Sequence, residues 1–130
     1  MPHVSKRVMN KKLQKILLGN LDLTFGKLSK DETQLFLYSL LSPTEKIMLA
    51  KRLGIIMLLK QGYSPTQISS RLCVTLETVS RTNVSYEKRP TGYDIALKKL
   101  INDAIIKEFK SLLGQVADYS IRAASGYVKI

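Results

Sequence analysis

Ile68-Ser-Ser-Arg-Leu-Cys-Val-Thr-Leu-Glu-Thr-Val-Ser-Arg81, led in by Ser64-Pro65-Thr66-Gln67, is the stretch whose reading decides the fold. Its pattern is that of a helix-turn-helix. Ile68, Leu72, Val74 and Val79 fall at the inward positions, while Thr75 caps a second helix that carries Glu77, Thr78, Ser80 and Arg81 outward. Cys73 stands where the turn needs a positive φ and prefers glycine, which predicts a mild strain of ~1 kcal/mol. A unit of this kind is expected to enter a groove of double-stranded DNA.

Working outward, the same start signal recurs upstream. Ser64-Pro-Thr-Gln67 has a serine cap, proline at the first helical position and a glutamine that closes the box, predicting a helix over 65–72. Ser42-Pro-Thr-Glu45 repeats it and predicts a helix over 43–61 through Ile47, Leu53, Ile55, Ile56, Leu58 and Leu59, stopped at Gly62. Ser29-Lys-Asp-Glu32 opens a helix in which Leu35, Phe36, Leu37, Tyr38, Leu40 and Leu41 are apolar almost all round. Burial on two sides follows, as in the core of a dimer or, alternatively, of a deeply packed monomer. Residues 1–28 read as a basic arm (Lys6, Arg7, Lys11, Lys12, Lys15) running into a first helix striped by Val8, Leu13, Ile16, Leu17 and Leu21.

Downstream, the helix from Leu76 to about Glu87 ends in Lys88-Arg89-Pro90, because proline forbids continuation. Apolar residues then recur at three and four positions from Ile95 to Val116, predicting a long amphipathic helix before an extended tail at 123–130. The expected organisation is therefore an arm and first helix (1–28), a helical dimerisation core (29–61), the helix-turn-helix (62–90) and a C-terminal helix with tail (91–130). No stretch reads as a strand.

A chain of 130 residues with 45% apolar and 24% charged residues is of a size and composition for one ordinary globular unit. A formal net charge of +11 draws it toward polyanions, nucleic acid foremost. No apolar run approaches the ~20 residues that cross a bilayer. The basic N-terminus lacks the apolar run of a secretion signal, and one cysteine forms no internal disulfide, so a cytoplasmic location at the nucleoid is expected. An enzyme is not indicated: His3 lies in the basic arm, Cys73 has no basic partner in sequence, and neither metal-ligand spacing nor a glycine-rich phosphate loop occurs.

The order of parts resembles the Trp repressor family. The likeness is carried by Leu41-Ser-Pro-Thr-Glu-Lys46, Leu49-Ala-Lys-Arg-Leu53, Ile55, Leu59, Gly62, then Thr78-Val-Ser-Arg81, Ser85 and Pro90, and covers roughly residues 35–90. The resemblance implies an all-α, intertwined homodimer whose two recognition helices enter successive major grooves of a near-palindromic operator. It also raises a corepressor, since an amino acid in tryptophan-responsive members is contacted at positions matching Leu41, Ser42, Arg52, Arg81 and Ser85. Two neighbours depart from the family pattern: a small residue is replaced by Glu77 and a glycine by Thr82. Glu77, four residues ahead of Arg81, is placed to pair with it and stand in for the ligand's carboxylate. The expectation is a regulator, a repressor in the family's manner, that binds free tryptophan weakly or not at all and either needs no cofactor or answers to another small-molecule effector. Two alternatives stay open: a repressor dependent on tryptophan or another small carboxylate, and a non-specific architectural or interaction protein.

Side-chain chemistry nominates the DNA contacts. Ser64, Thr66, Gln67, Arg71, Thr75, Glu77, Thr78, Ser80, Arg81, Lys88 and Arg89 lie on or beside the two motif helices. Among them Thr78 suits a thymine methyl, Glu77 a cytosine amino group and Arg81 a guanine edge. Lys51, Lys60, Arg71, Lys88 and Arg89 suit phosphates, which fix position without reading sequence.

Overall fold

The computed structural model describes residues 7–100 together with Lys107 and Ser111. Its regular structure is helical throughout: α1 (Lys11–Lys27), α2 (Lys30–Leu40), α3 (Pro43–Lys60), α4 (Pro65–Leu72), α5 (Leu76–Lys88) and α6 (Thr91–Leu100). The expected helix beyond Leu100, the tail at 123–130 and the start of the basic arm lie outside the described residues. Two compact units divide the chain, Met1–Lys46 and Ile47–Ile130.

In the first unit, α1 begins where the Asn10 side chain accepts from the Lys12 amide at 2.8 Å. Val8 precedes that cap and is almost wholly exposed, so it is not part of the helical stripe. An asparagine ahead of an amphipathic run is an ordinary start signal, and it marks this boundary. The Ser29 box forms as expected: the Ser29 amide donates to Glu32 Oε1 at 2.9 Å, and the Glu32 amide donates to Ser29 Oγ at 3.3 Å. The Ser29 amide first, and then the Ser29 side chain, hold the Glu32 carboxyl below its ordinary pKa. Phe25 and Phe36 meet edge to face at 5.5 Å and join α1 to α2. Neither helix buries a residue. Leu13, Ile16, Leu17, Leu18, Leu35 and Leu40 are all exposed, while Phe36 and Leu37 are half-buried, so among the described residues the apolar surround of α2 is covered only in part.

The Ser42 cap of α3 is also a closed box, with the Ser42 amide on Glu45 Oε1 at 2.9 Å and the Glu45 amide on Ser42 Oγ at 3.1 Å. In the second unit the core is built where α3, α4 and α5 meet: Ile55, Leu58, Ile68 and Val79 are fully buried or within 1% of it. Leu59, Tyr63, Leu72 and Val74 close over them. The four inward positions of the motif thus all join this core, Ile68 and Val79 at its centre. Gly54 lets α3 approach α4, because a Cβ there would lie 3.3 Å from Leu72 Cδ1. Gly62, at φ 89°, ends α3 in the left-handed conformation that glycine adopts without strain.

Cys73 is the one non-glycine residue with positive φ among those described, at φ 53° and ψ 52°. The expected strain is therefore present in the backbone. Cys73→Gly is expected to raise stability by about 1 kcal/mol, less the backbone entropy that glycine loses on folding. Urea denaturation of the full-length chain measures it, and a lower midpoint for the glycine variant would contradict the strain.

One cluster ties the start of α6 to α3 and α5. Lys60 pairs with Asp94, the Tyr86 hydroxyl donates to Asp94 Oδ1 at 2.6 Å, and the Lys60 ammonium lies 5.2 Å from the centre of the Tyr86 ring. Tyr86 and Tyr93 pack edge to face at 5.9 Å. The bond to Lys60, then that from Tyr86, holds the Asp94 carboxyl below its ordinary pKa, while Asp94 above all raises that of Lys60.

Candidate nucleic-acid interface

The turn of the motif is closed by a short run of local bonds. Val74 N–H donates to Ser69 O at 3.2 Å and the Ser69 hydroxyl donates to Val74 O at 2.5 Å, so one α4 serine holds both polar groups of the residue after Cys73. Lys51, on α3, reaches over to donate to Cys73 O at 3.2 Å. An expected phosphate contact is thus also a brace of the turn.

α4 opens on a closed box: the Ser64 amide donates to Gln67 Oε1 at 2.9 Å and the Gln67 amide donates to Ser64 Oγ at 3.2 Å. Thr66 on the same turn is exposed. Arg71 lies with its guanidinium 4.3 Å from the centre of the Tyr63 ring, and its Nε and Nη1 are buried with no hydrogen-bond partner among the described residues. A cation so placed is held by the aromatic face. An open cleft of about 510 Å³ lies beside it, lined by Gln61, Gly62, Tyr63 and Gln67.

α5 begins at the Thr75 cap, whose hydroxyl oxygen accepts from the Thr78 amide at 3.0 Å and lies 2.9 Å from the Thr78 hydroxyl. With Val79 turned into the core, Glu77, Thr78, Ser80 and Arg81 are exposed together on the other side. Arg81 Nη2 donates to Glu77 Oε1 at 2.5 Å, and the two side chains keep 78% and 70% of their surface in solvent. Thr82 is buried, and its hydroxyl donates to Thr78 O at 2.8 Å. At the far end Lys88 and Arg89 are exposed, and Arg89 Nη2 donates to Ser85 Oγ at 3.4 Å.

The residues expected around an effector are divided. Leu41 ends α2 and Ser42 caps α3 in the first unit; Arg52, Arg81 and Ser85 belong to the second. Arg52 and Ser85 line an open cleft of about 520 Å³ with Leu53, Arg89, Gly92, Tyr93 and Ala96, whereas Arg81 faces Glu77. Arg89 and Tyr93 were not legible as part of this cleft, because only the packing of α6 brings them to it. Among the described residues no three histidines, cysteines or carboxylates gather as a metal site, and no helix is long and apolar enough to cross a membrane.

Against known proteins, one family model matches: that described as Trp repressor protein, over residues 21–101, more than half of the chain. The match extends beyond the segment that sequence reading reached, taking in the last part of α1 and all of α6. No curated protein and no solved structure matches the chain.

Proposed function

The chain belongs to the Trp repressor family of DNA-binding transcriptional regulators, and from that premise we propose that it is a sequence-specific repressor acting at the nucleoid as a homodimer on a near-palindromic operator, without tryptophan. The observation that carries this reading is α5: a capped helix anchored through the buried Val79, with Glu77, Thr78, Ser80 and Arg81 exposed on one surface. A helix of that kind is what major-groove readout needs. The second copy is argued from the leucines and isoleucine of α1 and α2 that stand exposed among the described residues, since such side chains lose water contact only against another apolar surface. Two copies place two recognition helices on half-sites ~34 Å apart. The full-length chain offered random duplexes is expected to enrich an inverted repeat with that spacing. DNA bound without any enriched repeat would replace the repressor with an architectural protein.

Independence from tryptophan rests on Glu77 and Thr82. Glu77 already supplies Arg81 with a carboxylate, and a buried Thr82 side chain stands where the resemblance expects glycine. Because the chain has no tryptophan of its own, the fluorescence of added tryptophan is read without background. Titration is expected to give no saturation in the micromolar range. Saturation accompanied by tighter operator binding would instead establish a tryptophan corepressor.

A second reading, a repressor that needs some other small carboxylate, is favoured by the cleft itself, where Arg52, Arg89 and the Ser85 hydroxyl converge with the Tyr93 ring. A small carboxylate that raises operator affinity in the same titration decides for it.

A further inference from the structure

Arg81 and Glu77 form an ion pair that stability does not explain, since a pair so exposed contributes little to folding. Their place on the molecule suggests another use. They stand one helical turn apart on the outward side of α5, just after its Thr75 cap, in the half of the helix that a helix-turn-helix presents to base edges. Arg81 donates to Glu77 through Nη2, and a guanidinium has five N–H donors in a fixed fork. Its remaining donors are therefore held in a defined direction at little further cost in side-chain order.

The two head groups together present a run of donors followed by an acceptor. The four base-pair edges of the major groove differ in this respect. Guanine offers two neighbouring acceptors, N7 and O6, and the cytosine paired with it then offers the N4 amino donor. Donors from Arg81 and an acceptor from Glu77 complement that order. An adenine edge alternates acceptor and donor and opposes one of the two groups. A reversed pair, with cytosine nearest Arg81, sets donor against donor and carboxylate against acceptor.

We propose that Glu77 and Arg81 act as one reading unit for a single G·C base pair in each half-site, guanine toward Arg81 and cytosine toward Glu77. This rests on the regulator reading above and names what its recognition helix reads. Arg81 donates to guanine, and Glu77 both holds Arg81 and accepts from the cytosine amino group, repelling the acceptors of other pairs, so the specificity has a repulsive as well as an attractive part. No ligand is needed to hold the arginine.

The test is selection from random duplexes with the full-length chain and its E77A and R81A variants, followed by affinities for the selected repeat and for the same repeat with that pair changed. Wild type is expected to fix a G·C pair at one position per half-site and to prefer it by roughly 10- to 100-fold. R81A should lose that preference while every other selected position stays fixed. E77A should lower the ratio between G·C and the other pairs, and above all between G·C and C·G. A glutamate that only stabilised the helix would weaken binding to all duplexes alike, and that result overturns the paired unit. So does an enriched repeat in which no G·C pair depends on Arg81, although the regulator then stands. A pool with no enriched repeat removes the regulator and the reading unit with it.

Discussion

Raising salt from about 50 to about 200 mM is expected to weaken operator binding by the full-length chain about 10³-fold. The field behind this comes from a net charge of +11 on 130 residues. Its size depends on how many cations reach phosphate, and here the structure separates residues that composition treats alike. Lys60 is shared between Asp94 and the Tyr86 ring, and Arg71 lies on Tyr63 with two of its nitrogens buried. Lys88 and Arg89 at the end of α5 and Lys51 beside the turn are better placed. Those three from each of two copies give ~6 contacts, the low end of a range in which ~10 contacts cost 10⁵-fold. A loss near 10⁵ would mean that Lys60 and Arg71 leave their partners on binding. A flat response would remove phosphate contact, and DNA binding with it.

Ile68→Ala is expected to cost 2–5 kcal/mol in stability, because Ile68 has no exposed surface and its removal leaves a cavity among Ile55, Leu58 and Val79. Ser80→Ala, at an exposed position of α5, is expected to stay within about 0.5 kcal/mol and serves as the control. Urea denaturation of the full-length variants gives both values. A cost under about 1 kcal/mol for Ile68→Ala would show that α4 is not pinned by this residue.

What could be read from the residues alone was whatever is decided within one turn of chain. The boxes at Ser29, Ser42 and Ser64 form as their spacing predicts, each helix starting at the residue after its serine. Thr75 caps α5, Cys73 takes the left-handed conformation, and Glu77 meets Arg81 four residues on. The inward pattern of Ile68, Leu72, Val74 and Val79 was legible for the same reason, since helical periodicity is a local signal. Contacts between distant segments were not. Nothing in the sequence marks Lys60 as the partner of Asp94 or Lys51 as the donor to Cys73 O, because neither spacing is a helical repeat. Tyr93 and Arg89 likewise join the cleft at Arg52 only through the packing of α6. The candidate site was thus readable along α5 and hidden where α3 and α6 approach it.

The core that holds the DNA-binding unit lies between Ile55 and Val79, on three helices that follow one another directly. Contacts so near in sequence close short loops, and helical units built from them fold in microseconds to milliseconds. Formation of this core then runs at a rate independent of protein concentration. Any slower refolding phase whose rate climbs with concentration reports the meeting of two chains, and a stopped-flow dilution series separates the two events in time.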